Sequence, residues 1–449
     1  MIQSQVFRQY DIRGIVGEEL NAESYFLIGK GFGTYIRQKG LKTIALGGDA
    51  RPSSPELMQA FCKGALETGC DIIDVGIVAT PVLYYAIWKL KTDAGAMVTA
   101  SHNPSQYNGC KLNLGLGSVY AEELQKVLQI ILKGEFINGE GKYSTADVNE
   151  DYIGYITANI KLQRPVKVIV DGGNGMGGPY LPEILNRLGC EVIEMYCEPD
   201  GTFPNHHPDP TIEKYMADLS RDVVIAEYEL GIGLDGDADR IGVVDEKGKM
   251  LFGDQILNIL ARDYLKHNPG KSIIADVKCS KNLYDDIRKH GGVAIMYKTG
   301  HANIKMRMKE IGVDFAGEMS GHVFLADRYL GFDDAIYVSC RFIEIVSQTS
   351  APVSSYLADQ PKMYNTPELH IKCADDRKFE VVAKVCDEFK AEGYDVNDID
   401  GARITFADGW GLVRASNTTP VLVTRYEAVS EARMLEIQAL VEGKINKYI

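Results

Sequence analysis

Asp235, Asp237 and Asp239 stand at alternate positions inside Asp-Gly-Asp-Ala-Asp-Arg. On an extended backbone, alternate side chains share one face, so these carboxylates would crowd together. Like charges that close repel unless a cation neutralises them. An all-oxygen ligand set selects a hard ion such as Mg2+. Apolar runs flank the cluster, Ile232 to Leu234 and Ile241 to Val244. They imply a buried mouth rather than a solvated acidic turn. A calcium EF-hand is rejected. Glu246 falls where that loop carries its last ligand, but Arg240 stands where it requires glycine.

Ser101 sits in Thr-Ala-Ser-His-Asn-Pro. No Gly-x-Ser-x-Gly elbow surrounds it, which counts against a hydrolase triad. Alone, the segment reads as a turn capped by Ser and Asn before Pro104. Near a Mg2+ site, a serine can instead carry a phosphoryl group, with metal and cations stabilising the charge during in-line transfer. Lys111, in Tyr-Asn-Gly-Cys-Lys-Leu, is either a surface lysine or a cation or acid/base beside that serine.

Arg414, Ser416, Asn417 and Thr418 lie in Val-Arg-Ala-Ser-Asn-Thr-Thr-Pro. A guanidinium, hydroxyls, an amide and loop N–H groups form either a phosphate cradle, assisted by Arg425, or a capped hairpin turn. His322 ends Gly-Glu-Met-Ser-Gly-His. With Glu318 and Ser320 it reads sugar hydroxyls or shuttles a proton; otherwise it is structural. His301 is a candidate of the same kind. The cysteines, the methionines and His206-His207 show no metal-ligand spacing.

The elements that would position these residues form a hidden repeat. Lys42 to Asp49, Val166 to Gly173 and Lys271 to Asp276 are short apolar runs ending in Asp or glycine-rich turns. Such runs suit buried parallel strands. Each precedes a helix-like stretch, a glycine (Gly69, Gly189, Gly291) fitting a helix C′ position, and a second strand. A third strand then runs into the Ser101, Asp235 or Glu318 loop. Ligands of open α/β sheets bind beyond the carboxyl ends of strands, so the three loops are expected to converge on one cleft.

The last segment differs. Arg403 to Ala407, the turn Asp408-Gly409-Trp410-Gly411, and Val421 to Tyr426 read as an antiparallel meander between amphipathic helices near 379–392 and 431–445. The fold expected is α/β: three similar α/β mixed-sheet domains plus a C-terminal α+β domain around a central cleft. The boundaries are 1–147 with the serine loop, 148–249 with the metal loop, 250–365 with the sugar loop and 366–449 with the phosphate loop.

Length and composition agree. The chain has 449 residues, 45% hydrophobic and 24% charged, with a net charge of −14. That length suits roughly two to four domains. The charge argues against general nucleic-acid or anionic-membrane binding. The nine cysteines are scattered singly and the N-terminus lacks an apolar core, so a reduced, cytoplasmic protein without signal peptide or membrane span is expected.

Taken in order, Thr-Ala-Ser-His-Asn-Pro, Asp-Gly-Asp-Ala-Asp-Arg, Gly-Glu-Met-Ser-Gly-His and Arg-Ala-Ser-Asn-Thr-Thr-Pro resemble the motif set of the α-D-phosphohexomutase superfamily. Phe7 to Gly14 also resembles that family's opening. The sugar loop is most similar to bacterial phosphomannomutase/phosphoglucomutase enzymes; phosphoglucosamine mutases usually carry Gln at the place of Met319. Ala415 stands for a commoner proline and Ala238 for a frequent glycine, and neither change removes a ligand.

The resemblance implies a mutase of hexose 1- and 6-phosphates, acting on mannose and/or glucose through phosphoserine and a hexose 1,6-bisphosphate. It implies Mg2+ held by phosphorylated Ser101, Asp235, Asp237 and Asp239, with Arg240 at the phosphoserine. Glu318 and Ser320 would hold sugar hydroxyls, with His322 near the reacting groups. Arg414, Ser416, Asn417 and Thr418 would grip the other phosphate. Tyr10, Arg13, Lys111, Lys278 and His301 would line the cleft. Ser101, Lys111, His322 and Arg13 are the catalytic candidates. Hexose phosphates are the expected partners of a monomer or homodimer. A phosphoglucosamine mutase, a non-catalytic phosphosugar-binding protein and a Mg2+-dependent phosphatase are the rival readings.

Overall fold

The computed structural model describes residues 2–416 and 420–449. The chain packs as two compact units, Met1–Leu260 with Ser320–Tyr356, and Ala261–Met319 with Leu357–Ile449.

In the first unit, the Thr43–Gly48 strand is central. It pairs in parallel with Asp71–Ile77 on one side and Ala94–Val98 on the other. Antiparallel strands Tyr107–Leu114 and Ile12–Ile15 extend the sheet. A second sheet repeats this order. Lys167–Asp171 lies between Glu191–Met195 and Leu230–Leu234, all parallel, and Ile241–Asp245 adds an antiparallel strand. In the second unit, Ser272–Asp276 lies between parallel Val293–Tyr297 and Phe315–Gly317.

The hidden repeat is therefore one topology used three times. The chain leaves a central strand, pairs on one side, then returns to the other. That reversal creates a switch point at the carboxyl end of the central strand, where ligands bind in open α/β sheets. The third strands end at Val98, Leu234 and Gly317, directly before the Ser101, Asp235 and Glu318 loops. Gly69, Gly189 and Gly291 all take positive φ, as the helix-end reading requires.

The last segment forms the expected meander. Ala402–Phe406, Gly409–Ala415 and Val421–Ala428 pair antiparallel in sequence order. Helices Lys378–Ala391 and Glu431–Asn446 bury Val385, Phe389, Ile437 and Val441 against Ile404 and Tyr426 of that sheet. None of the nine cysteines is in a disulfide. Among the described residues, no helix is long and apolar enough to cross a membrane.

Candidate active site

The three aspartates come together, but not as alternating residues of a strand. The strand ends at Leu234 and its partner starts at Ile241, so 235–240 is the hairpin connection. Ala238 N donates to Asp235 O at 3.1 Å, and Ala238 sits at φ +63°. A tight turn, not a pleat, gathers the carboxylates. A turn brings them closer than a strand would, because residues at i and i+4 of a pleat stand two pleats apart. That left-handed conformation is one that glycine would adopt without strain.

All three carboxylates are buried. Asp235 Oδ1 accepts from the N–H groups of Asp239 and Arg240 at 3.0 and 3.1 Å. Its Oδ2 accepts from Ser101 Oγ at 2.7 Å. Asp237 Oδ2 accepts from Thr80 Oγ1 and Lys111 Nζ, both at 2.6 Å, and Asp239 Oδ2 from Lys111 Nζ at 2.5 Å. Asp237 Oδ1 and Asp239 Oδ1 are buried with no hydrogen-bond partner. Lys111 bonds Asp237 and Asp239 but not Asp235. Burial, reinforced by Asp239 and Asp237, therefore pushes Asp235 well above the ordinary carboxylate range.

Burial pushes Asp237 the same way, but Lys111 outweighs it and holds that acid low. The donor set fits a metal ion. Ligand oxygens of the three aspartates lie within 4.8 Å of one another. Two of the carboxylates carry an uncommitted buried oxygen, and a cation would relieve the charge that raises Asp235.

Ser101 begins the loop after Ala94–Val98 and takes φ +51°. For a non-glycine residue that conformation costs roughly 1–2 kcal/mol. It turns the Ser101 hydroxyl toward Asp235. His102 Nδ1 lies 3.1 Å from the same Oγ. Burial, then the charges of Arg240 and Arg13, hold His102 well below the ordinary histidine range, so it is neutral. Lys111, on the Tyr107–Leu114 strand, is the reverse case. Burial opposes its charge, but Asp237 and Asp239 outweigh burial and keep it protonated.

Arg240 Nε donates to His322 Nε2 at 3.0 Å, which leaves the neutral ring's proton on Nδ1. That Nδ1 lies 3.4 Å from Asp333 Oδ2 and 3.6 Å from Asp239 Oδ1. Arg13, on Ile12–Ile15, donates to Asn103 Oδ1 at 2.5 Å and so reaches the serine loop rather than Ser101 itself. Tyr10 is half-buried just before that strand. Ser320 falls in the same unit as His322.

The second unit holds the remaining candidates. Lys278 Nζ donates to Glu368 Oε1 at 2.6 Å and stands 4.0 Å from Asp276 Oδ2. Glu368 keeps about a third of its side chain exposed; partial desolvation opposes its charge, but Lys278 outweighs it and holds the acid at about 2. Glu318 accepts from Gly300 N at 2.5 Å, at the start of the His301–Ile311 helix. Asp276 Oδ1 accepts from Met319 N at 3.3 Å, tying the Glu318 loop to its central strand.

Arg414 Nε donates to Asp400 Oδ2 at 3.1 Å. Ser416 N closes the hairpin on Val421 O at 3.0 Å, and Arg425 Nη1 donates to Lys278 O at 2.5 Å. Asn417 and Thr418 lie outside the described residues.

Around Ser101, Asp49, Arg51, Thr80, Thr99 and His102 escaped the sequence reading; in the second unit, so did Glu368, the partner of Lys278. Only His102 and Thr99 had a local signal, as neighbours of Ser101. Asp49 was visible merely as the polar end of a strand.

The chain matches known proteins along its length. Models of α/β/α domains I, II and III and of the C-terminal domain of phosphoglucomutase/phosphomannomutase match residues 4–138, 150–248, 252–364 and 368–444. The chain belongs to the phosphoglucomutase/phosphomannomutase family.

It is 41% identical over 444 residues to a phosphomannomutase/phosphoglucomutase of Pseudomonas aeruginosa, covering 99% of this chain and 96% of the relative. It is 42% identical over 453 residues to a phosphoglucomutase of Neisseria meningitidis serogroup A, covering 99% and 98%. The crystal structure of a phosphoglucomutase/phosphomannomutase family protein from Burkholderia thailandensis superposes with a TM-score of 0.95 at 39% identity, covering 100% of this chain and 98% of that one. The chain is an enzyme, an intramolecular phosphotransferase of the phosphohexomutase type.

Proposed function

We propose that the enzyme interconverts the 1- and 6-phosphates of mannose and glucose, with Ser101 as phosphoryl carrier and a hexose 1,6-bisphosphate as intermediate. One observation carries this reading. The Ser101 hydroxyl meets Asp235 at 2.7 Å, beside two buried aspartates that each keep an uncommitted oxygen. Asp235, Asp237, Asp239 and phosphorylated Ser101 would hold Mg2+, which supplies Lewis-acid stabilisation of phosphoryl oxygens when bound.

In transfer, the Ser101 Oγ–P bond breaks and a sugar O–P bond forms. A base takes the sugar hydroxyl's proton, and Ser101 Oγ keeps the electron pair of the broken bond and takes up a proton. Lys111 is held protonated by Asp237 and Asp239, whereas His322 Nε2 has a lone pair, now occupied by Arg240. His322 is therefore the preferred base, with Lys111 and Arg240 as charge-stabilising cations and Arg13 as an anchor of the serine loop. The bisphosphate then turns and returns its other phosphate to Ser101.

Lys278, His301, Glu318 and Ser320 would hold the sugar, and Tyr10 would flank it. Arg414, Ser416, Asn417, Thr418 and Arg425 would grip the non-reacting phosphate. Domain limits at 147, 249 and 365, a cytoplasmic setting, and a monomer or homodimer belong to the same reading. The ranges of the four family models support the limits.

Intact mass before and after incubation with glucose 1,6-bisphosphate tests the proposal. The protein is expected to gain one phosphoryl group and Ser101→Ala none. Mannose 1-phosphate and glucose 1-phosphate should both turn over in wild type and neither in the variant. Full turnover by Ser101→Ala would end the assignment.

A further inference from the structure

Arg51 is buried beneath the serine loop, and all five of its N–H donors are engaged. Nε donates to Asp49 Oδ2 at 3.0 Å. Nη2 donates to the carbonyls of Ser101 and Asn103 at 2.8 and 2.6 Å. Nη1 donates to those of Pro104 and Tyr107 at 2.7 and 3.1 Å. One guanidinium thus satisfies four carbonyls of the loop that leaves the sheet and returns to it.

The other end of the Ser101 residue is tied to the same carboxylate. Ser101 N donates to Thr99 Oγ1 at 2.9 Å, and Thr99 Oγ1 donates to Asp49 Oδ2 at 2.8 Å. Asp49 therefore holds Ser101 N through Thr99 and Ser101 O through Arg51. Ser54 Oγ, at 2.6 Å, fixes the other Asp49 oxygen.

A loop from the second sheet seals the assembly. The Phe203 ring lies 5.1 Å from the Arg51 guanidinium carbon, and a Cβ on Gly201 would stand 2.4 Å from Ala50 O. With both backbone ends clamped, Ser101 keeps its left-handed conformation and its hydroxyl meets Asp235.

We propose that Arg51 is a positioning residue for phosphoryl transfer: with Asp49 and Thr99 it forms a clamp that sets the Ser101 backbone and aims Oγ at the metal-binding aspartates. The inference rests on Ser101 being the carrier. In-line transfer punishes misplacement, since a shift of about 1 Å in a reacting group costs on the order of 100-fold in rate. A lysine offers three donors in place of a planar fork of five, so Arg51→Lys cannot rebuild the clamp.

The test compares wild type with Arg51→Lys, Arg51→Ala and Thr99→Val. Mutase kinetics, intact mass after glucose 1,6-bisphosphate, and thermal melting are measured for each. Both arginine variants should lose about 100-fold in kcat while KM for glucose 1-phosphate stays within about threefold. Their Ser101 phosphorylation by the bisphosphate should slow in parallel. Added guanidinium ion should restore part of the kcat of Arg51→Ala and none of that of Arg51→Lys.

A folded Arg51→Ala with wild-type kcat overturns the proposal. So does a loss of kcat that tracks melting temperature and ignores guanidinium. Should the arginine variants not fold, Thr99→Val decides, because it keeps Arg51 and the shape of the side chain it replaces. A fall in kcat at constant KM supports the clamp, and wild-type kcat refutes it. Wild type that takes up no phosphate would refute the Ser101 reading first, an outcome separate from all of these.

Discussion

Gly236 and Ser101 meet backbone to backbone: a Cβ built on Gly236 would stand 2.4 Å from the Ser101 carbonyl oxygen. The aspartate loop can lie against the serine loop only because this residue has no side chain. The contact also explains how a hydroxyl and a carboxylate far apart in the chain come within hydrogen-bond reach.

Gly236→Ala must therefore push the two loops apart, since the obstructing atom is backbone. Overpacking of this kind costs about 1–3 kcal/mol. Melting should show that loss, and kcat should fall on the order of tenfold or more, because the Ser101–Asp235 distance lengthens. A variant with wild-type kcat would show that the loops tolerate separation.

Lys111→Met should cost more stability without metal than with it. In EDTA, Asp237 and Asp239 lose their common cation, and breaking a buried pair in this way costs about 3–5 kcal/mol. Mg2+ should restore much of that stability, so its addition should raise Tm more in the variant than in wild type. Turnover should fall even with Mg2+ present. Equal Mg2+-induced shifts in the two proteins would contradict the charge argument.

His206 provides a pH test away from the serine loop. Its Nε2 lies 2.9 Å from Asp171 Oδ2. Burial opposes the imidazolium, but Asp171 outweighs burial and holds His206 above its ordinary value. The folded protein thus binds this proton more tightly than the unfolded chain. The resulting stability is complete below the ordinary histidine pKa and is lost as pH rises through the folded value. Chemical denaturation should find His206→Gln more damaging near about pH 6 than near about pH 9. A pH-independent difference would remove the charge from the account.

Arg414→Met tests the proposed phosphate cradle. A hydrogen bond to a charged group is worth roughly 1.5–3 kcal/mol, so kcat/KM for glucose 1-phosphate should fall about 10- to 100-fold. Unchanged kcat/KM would move the phosphate site elsewhere. Because Arg414 holds Asp400, melting of the variant should be measured alongside.

Much of the fold was legible because each central strand is a short, mostly apolar run ended by glycine or aspartate. The shared order of the three sheets follows from that pattern, as does the position of each functional loop after a third strand. The alternating aspartates suggested a pleated strand. The structure has a hairpin turn instead, because the antiparallel pairing of Leu234 with Ile241 leaves only 235–240 to reverse the chain. Spacing alone cannot separate the two, since both bring alternate side chains near each other.

Residue types in the sequence by themselves determined the chemistry on offer: a hydroxyl, three carboxylates, a lysine, and a guanidinium followed by hydroxyl and amide side chains. Only the tertiary structure decided which of these meet and in what charge state. Lys111 is a fixed cation because two buried aspartates converge on it, and Asp235 is the strained acid because it shares the turn with them. Arg51 was unreadable for the same reason. Its partners are backbone carbonyls, which every sequence has, and only folding brings four of them around one guanidinium.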